Sequence, residues 1–524
     1  MASDEDKIVD LQKRLDHARI DKERTPIELR GGELHLYVDA AHRLLADDVF
    51  VRGRELVRIG EAPELVSALH RGLQRRNDQH VIVPVSSEWL RLELTARADF
   101  KRWDERRRKF ASVDCPAHLA VNIAASGEWP HFRPLDAIAT APFLRADRSV
   151  CDTPGYDPAS RVYLAPSQEF PEVPRRPLRE DALQALSVLL APFDQFPFAT
   201  PHAQAAFIAH ILTAVARHAI DVSPAFLYTA PLAGTGKTLL ASMPSLIAQG
   251  VPPAMRPYVD ESEELRKVLL AVLLGGDAGL LLDNVPSGTK LRSPTLCAFV
   301  TSEVYSDRRL GASDSPQLPN RCICTLTGNN LTPAGDFARR SIIVRLDANS
   351  ESVQGRDFKI QDLKAHIAEH RARLLIAALT IVRAHCLAAP AGERPLPSFE
   401  NWSRIARDPL RWLGCADPVL TQDAEADDEL EPLREAFTAI HAHLEAREMR
   451  EFKAKTIAGA TGYDAPAMHE AITAAGCSDA TDALKVGYWL RANRDRVAGP
   501  FKLKQAGEAH RIARWSLVSG GSRA

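Results

Sequence analysis

The sequence predicts an α/β protein whose central domain holds a parallel sheet, with a mixed α+β domain before it and a smaller domain after it. Three observations predict this. At 524 residues the chain is too long for one hydrophobic core, and a length of this order favours about two to four domains. Between about 181 and 355, short apolar runs alternate with helical patterns, as in a parallel sheet covered on both faces. One of those runs, Ala225 to Ala230, leads through a loop of small residues into a helical pattern, which is a strand–loop–helix unit.

Taken in order, residues 1–30 read as a charged arm, and 31–165 as an accessory domain. The latter has a helical pattern from Leu36 to Leu45 and strand-like runs at Val49-Phe50-Val51 and Val81 to Val85. Turn residues from Thr153 to Pro158 close it, and the proline-rich stretch 166–180 reads as a linker. The domain with the parallel sheet is expected over 181–355, followed by a helical subdomain over 356–416 and an acidic linker over 417–431. The remainder, 432–524, opens with helical patterns and ends in two runs, Phe501 to Lys504 and Ile512 to Val518, that read as a hairpin. There is no internal repeat.

Composition narrows the function classes. Apolar residues make up 45% of the chain and charged residues 26%, a globular balance. No apolar run reaches the roughly 20 residues that a membrane span requires, and the charged N-terminus lacks a signal-peptide stretch, so no membrane partner and a cytoplasmic location are expected. The eight cysteines are scattered. Cys322 and Cys324 are close, in an alternating pattern that reads as a buried strand and not as a zinc site, so all eight are expected to be reduced thiols. A net charge of −2 gives no global nucleic-acid signal, and any such contact must come from local patches.

The chemistry-bearing stretch is Pro231 to Leu239. Gly234, Thr235, Gly236, Lys237, Thr238 and Leu239 form a loop and helix start whose backbone N–H groups can converge on phosphates. Lys237 would reach the β- and γ-phosphates, and Thr238 would hold Mg²⁺. ATP and Mg²⁺ are the cofactors expected. Pro231 stands where the usual phosphate-loop pattern has glycine, and Gly-Lys-Thr alone is as readily a helix cap. The apolar run Gly279 to Leu282 ends in Asp283, placed to ligate the same Mg²⁺, although alone it would read as a buried strand with a capping acid. A third run, Cys322 to Gly328, ends in Asn329-Asn330, amides able to orient water or merely to make a turn. Arg339 and Arg340 precede a fourth run, and one of them could serve as an arginine finger, though paired arginines at a strand start are usually solvated or salt-bridged.

This ordered set resembles the P-loop motors of the AAA+ class and, more narrowly, the superfamily 3 helicases of phages and mobile elements, including the helicase part of poxvirus-type primase-helicases. The resemblance covers about 200 to 415. It implies a ring oligomer, a hexamer as in that family, with catalytic roles for Lys237, Asp283, Asn329 (Asn330 as a near alternative) and Arg340. It also implies a basic hairpin in the ring's pore, here Ser293 to Leu318, with Arg308 and Arg309 at its tip. Gly155 to Asp157, Ser398 to Trp402 and Trp412 to Gly414 look like stretches of the same helicases. Where related motors carry a second acid, this chain has Asn284, which shifts the search for a water-polarising carboxylate to Asp260, Glu261, Glu263 and Glu264.

The flanks add less. Tyr37-Val38-Asp39-Ala40 supplies one acid where nucleotidyl transfer needs a metal-binding pair, so no such activity is expected. Lys101 to Lys109 is a basic cluster around Trp103, able to bind phosphate and stack a base; a solvated helix face is the favoured alternative. The C-terminal segment resembles a winged helix. Lys485, Arg491, Arg494 and Arg496 would contact nucleic acid, with Lys502, Lys504, Arg511 and Arg514 on the wing, although a winged helix can equally be a protein-docking module. The functions to be separated are an ATP-dependent helicase or translocase on single-stranded or forked DNA in replication initiation of a phage, plasmid or integrative element; an ATP-switched scaffold or loader; and an adaptor with a vestigial loop.

Overall fold

The computed structural model describes residues 24–61, 80–308, 315–347, 359–463, 465–509 and 512–519. The N-terminal part is mixed α+β. Strand β1 (Thr25–Leu29) is followed by α1 (Leu34–Leu45), β2 (Val49–Arg52), β3 (Glu55–Glu61), β4 (His80–Pro84) and α2 (Ser87–Arg97). Then come β5 (Ala98–Asp104), β6 (Lys109–Val113) and α3 (Ala117–Ala125). The stretch 25–29, expected to belong to a charged arm, is a strand because its alternate residue Ile27 is buried beside Phe100 in this domain's core. β1 runs parallel to β5, which pairs antiparallel with β6. Lys101 to Lys109, whose favoured alternative was a helix face, is therefore a hairpin: the parallel pairing with β1, more than 70 residues upstream, overrides local propensity. A second sheet has the order β4-β3-β2-β7, where β7 is Arg133–Pro134.

Short strands carry the chain onward: β8 (Ala137–Ala139), β9 (Phe143–Leu144), β10 (Val150–Cys151), β11 (Gly155–Asp157) and β12 (Val162–Leu164). Gly155-Tyr156-Asp157 thus lies in an antiparallel pair, with Asp157 accepting from Arg145 Nη2 and Nε at 2.9 and 3.0 Å. Helix α4 (Arg179–Leu190) begins at the end of the expected linker, and α5 (Pro201–Val215) leads to the central sheet.

The central domain alternates β13 (Ala225–Ala230), α6 (Lys237–Gln249), β14 (Ala254–Pro257), α7 (Ser262–Gly275) and β15 (Gly279–Val285). After β16 (Lys290–Leu291), α8 (Pro294–Val300), β17 (Val304–Ser306) and β18 (Gln317–Pro319) come β19 (Ile323–Asn329), β20 (Thr332–Pro333) and β21 (Ser341–Arg345). The sheet order is β14-β15-β19-β13-β21, with every pair parallel. All six residues of β13 are buried, as expected for a strand covered on both faces. One core joins this sheet to α4, α5 and the helices that follow: α9 (Leu363–Glu369), α10 (Arg371–Ala388), α11 (Glu400–Trp402) and α12 (Asp408–Trp412). Trp402 is fully buried there, and its indole N–H donates to Thr213 Oγ1 at 2.8 Å, so the aromatic motif anchors the helical layer on α5.

The C-terminal part has its own core around Phe437, Trp489 and Trp515. It begins with α13 (Asp423–Glu445), so the acidic stretch expected to be a linker is helical from Asp423 on. Three short helices follow, α14 (Ala454–Tyr463), α15 (Pro466–Ala474) and α16 (Ala483–Ala492), and then an antiparallel sheet of β22 (Val497–Ala498), β23 (Phe501–Ala509) and β24 (Ile512–Ser519). The expected hairpin is β23–β24, and Phe452 bridges to Trp515 on its outer strand. Among the described residues, no helix is long and apolar enough to cross a membrane.

Candidate nucleotide site

The loop between β13 and α6 leaves the C-terminal edge of the sheet. Gly234 and Gly236 take left-handed φ values of +79° and +84°, which only glycine adopts without strain, and this lets the chain coil tightly before α6. Gly236 caps the helix with no side chain of its own, and a Cβ there would come within 3.3 Å of the Phe196 ring. Lys237 is buried. Its ammonium donates to the Leu232 carbonyl at 2.9 Å and to Thr235 Oγ1 at 3.2 Å, so the loop folds around its own cation. Burial lowers the Lys237 pKa, an effect partly offset by the Asp283 carboxylate. Leu239 packs against the domain core.

Asp283 meets this helix start directly. Thr238 Oγ1 donates to Asp283 Oδ1 at 2.9 Å, although the two residues come from different elements. The strand is irregular here, with a register shift between Leu282 and Val285 and Asn284 at φ +63°. Such a bulge re-aims the carboxylate out of the ladder, and asparagine is among the few non-glycine residues tolerated in that conformation. Local backbone geometry thereby accounts for Asn284. Thr327 completes the arrangement from β19: its hydroxyl donates to Asp283 Oδ1 and accepts from the Asn284 N–H at 3.3 Å. The sequence reading missed Thr327; its signal was the alternation Thr325, Thr327 on a strand beside the acid. A hydroxyl and a carboxylate converging beside an ammonium at a helix N-terminus fit Mg²⁺ bound to phosphate oxygens.

Asn329 ends β19 and pairs with Ala230, the residue from which the loop departs, so it shares the sheet edge with Lys237 and Asp283. Asn330 follows at φ +46°, its N–H bonded to the Ala230 carbonyl at 3.2 Å. The carboxylates near this edge differ in their ties. Tyr258 N–H donates to the Asp283 carbonyl at 3.0 Å, and the Tyr258 hydroxyl donates to Asp260 at 3.0 Å. Glu263 and Glu264 instead face Lys267, at 3.5 and 2.7 Å.

Arg340 is not brought to this cluster within the chain. It precedes Ser341, which pairs with Ala225 at the opposite end of β13 from the loop, about 20 Å away at strand rise. Its guanidinium donates to the Cys297 carbonyl at 3.0 Å and faces Asp336 at 3.1 Å, while its Nε is buried without a partner. Arg339 is the more exposed of the two and also pairs with Asp336.

The candidate nucleic-acid residues lie elsewhere. Arg308 is exposed just beyond β17, whose pairing with β18 forms the expected hairpin; Arg309 lies outside the described residues. On α16, Lys485 reaches Asp479 at 3.4 Å and Arg491 stacks over Tyr488, and in the turn after it Arg494 contacts Asp495 at 3.3 Å. Leu484 and Tyr488 are 62% and 59% exposed on the same helix, an outward face that mixes cations and apolar groups. Lys504 is exposed on β23, Arg514 pairs with Glu451 at 3.5 Å, and Arg511 lies outside the described residues. Asp39 is paired locally with Arg43 and His131, at 2.8 and 2.7 Å. The eight cysteines are free, and burial raises the pKa of both Cys322 and Cys324.

No protein-family model matches the chain, and no curated protein does. Among solved structures it is similar to the apo A form of the NrS-1 C-terminal region, at 12% identity and TM-score 0.38, covering 84% of this chain and 94% of that one. It is also similar to SCCmec type IV Cch, an active helicase, at 10% identity and TM-score 0.33, covering 88% and 93%. A third is JCV helicase, at 15% identity and TM-score 0.21, covering 45% and 67%. The overlaps are loose at these TM-scores, so the functional reading rests on this chain's own residues.

Proposed function

We propose that the chain is an ATP-driven motor of superfamily 3 type that translocates on or unwinds DNA as a ring, with replication initiation of a phage, plasmid or integrative element as its setting. The observation that carries this reading is the convergence of Thr238 and Asp283 at the N-terminus of α6 beside the buried Lys237. Bound Mg²⁺–ATP would supply the transferable phosphoryl group. Lys237 would hold its terminal phosphates, Thr238 and Asp283 would ligate the metal, and Asn329 would orient water at the sheet edge. The distance of Arg340 from its own chain's loop suits action on a neighbouring subunit's phosphate, with Arg339 as the more exposed alternative. A hexamer follows from the family resemblance. The β17–β18 hairpin with Arg308 and Arg309 would grip DNA in the pore, and the C-terminal helices and hairpin would act as a winged helix through Lys485, Arg491 and Arg494.

Asn284 favours a second reading, an ATP-switched scaffold or loader that hydrolyses slowly, because the carboxylate expected beside Asp283 is absent. Asp260, linked through Tyr258 to the backbone of Asp283, is then the acid best placed to polarise water. Strand displacement on a forked DNA separates the readings. Unwinding that disappears in Lys237→Ala, and ATP turnover that falls in Asp260→Asn but not in Glu263→Ala or Glu264→Ala, is the expected result. ATP-dependent assembly on DNA without displacement would establish the scaffold, and absence of nucleotide binding would overturn both.

A further inference from the structure

The β5–β6 hairpin of the N-terminal part is not used by the nucleotide site, yet it concentrates charge. Residues 101–109 hold six cations against two acids in a chain whose net charge is −2. Strand alternation sorts its side chains. Ile27, Ala98 and Phe100 face the domain core, while Asp99, Lys101 and Trp103 face away, opposite Ser112 and Phe110 on β6. This outer face is organised: Ser112 donates to Asp99 at 2.7 Å, Lys101 reaches Asp99 at 3.4 Å, and Trp103 meets Phe110 edge-to-face with centroids 5.4 Å apart. Trp103 is nevertheless 44% exposed. Beyond it the tip turns on Arg108 at φ +44°, with Asp104 Oδ1 accepting from the Arg106 and Arg107 backbone N–H groups. Among the described residues, Arg102, Arg106, Arg108 and Lys109 have no ion-pair partner.

A flat indole held upright by an aromatic neighbour, and continuous with a turn of three arginines of which only Arg107 meets an acid, at 3.7 Å, is complementary to one ligand chemistry: an unpaired base flanked by phosphates. A duplex hides its base faces, and an acidic peptide has no use for the indole. We propose that this hairpin is a second single-stranded DNA contact, with Trp103 stacking a base and Arg106, Arg107 and Arg108 contacting the backbone. It rests on the reading of the chain as a DNA motor and adds to it a grip outside the ring's pore.

The test uses the full-length protein and a fluorescein-labelled oligo-dT strand, with anisotropy read over a salt series. Trp103→Ala should weaken binding by about tenfold or more, as loss of one stacked base does, whereas Trp103→Phe should recover most of the affinity. Replacing Arg106, Arg107 and Arg108 together by alanine should flatten the salt dependence by about two units, near 0.7 per phosphate contact on a single strand. Both variants should keep the ATP turnover measured without DNA and the melting temperature of the parent. Parental affinity and salt slope in both variants would overturn the proposal, leave the motor reading standing, and mark the hairpin as protein-facing. No oligo-dT binding by the parent would overturn the motor reading as well.

Discussion

At the scale of single residues, the candidate site turns on a hydroxyl. Thr327 joins the Asp283 carboxylate to the backbone of Asn284, so it fixes both the direction of the proposed metal ligand and the bulge that aims it. Groups that orient a metal's ligands commonly change metal affinity or activity by about 10- to 100-fold when removed. Thr327→Val keeps the shape of the side chain and removes the bond. It should lower Mg²⁺-dependent ATP turnover about tenfold and stability by about 1–2 kcal/mol, the cost of a buried polar group left unpaired. Thr327→Ser should restore most of the activity; equal turnover in the valine variant and the parent would show that Asp283 needs no such support.

At the scale of elements, the N-terminal part touches the central domain through a turn. Gly53, between β2 and β3, has φ +63°, and a Cβ there would lie 2.2 Å from the backbone oxygen of Gln317 on β18. Gly53→Ala should therefore push the turn off the β17–β18 hairpin. The expected outcome is faster hydrogen exchange at Gln317 and Leu318 and a lower melting temperature, with ATP binding retained. This contact was invisible in the sequence, where its partners stand more than 260 residues apart. Four strands of the central sheet, β13, β15, β19 and β21, were legible because each is buried along most of its length and reads as a largely apolar run ending in Ala230, Asp283, Asn329 or Arg345, whereas the mostly exposed edge strand β14 gave no such run. The β5–β6 hairpin was not, since Lys, Arg and Glu favour helices locally and only pairing with distant β1 makes the stretch a strand. Thr238 and Asp283 could be matched by chemistry, whereas Thr327 looked like an ordinary strand residue until β19 was placed beside β15.

For the whole molecule, buried histidines set an acid limit. His210 lies in the central core, stacked on Phe226 and bonded to the Tyr228 hydroxyl at 2.8 Å. Burial pushes its pKa down to about 3; His218 is likewise held at about 3, and His385 at about 4. In the unfolded chain these side chains take up protons near pH 6.5, so the folded state is at no disadvantage above that value and loses ground as pH falls below it. Each should cost about 1.4 kcal/mol at pH 5.5. The melting temperature should be flat from pH 7 to 8 and drop steeply from 6.5 to 5, with a shallower slope in His210→Gln. An unchanged slope would mean that His210 protonates without unfolding.

Helix α6 ends as deliberately as it begins. Its last four carbonyls are all taken: Leu246 by the Gly250 N–H, Ile247 and Ala248 by Arg371, and Gln249 by Thr140. The same guanidinium reaches Ser167 at 2.7 Å and Thr140 at 3.0 Å and lies over the Phe170 ring, so one side chain clasps the helix, the proline-rich segment and the N-terminal part. Thirteen residues make a rod about 20 Å long. A ligand gripping Lys237 and Thr238 at one end would pull, through that rod, on a joint where three parts of the chain meet. Adding an ATP analogue should therefore slow hydrogen exchange around Thr140 and Ser167, far from any phosphate, and Arg371→Met should abolish that distant response while Lys237 still binds nucleotide.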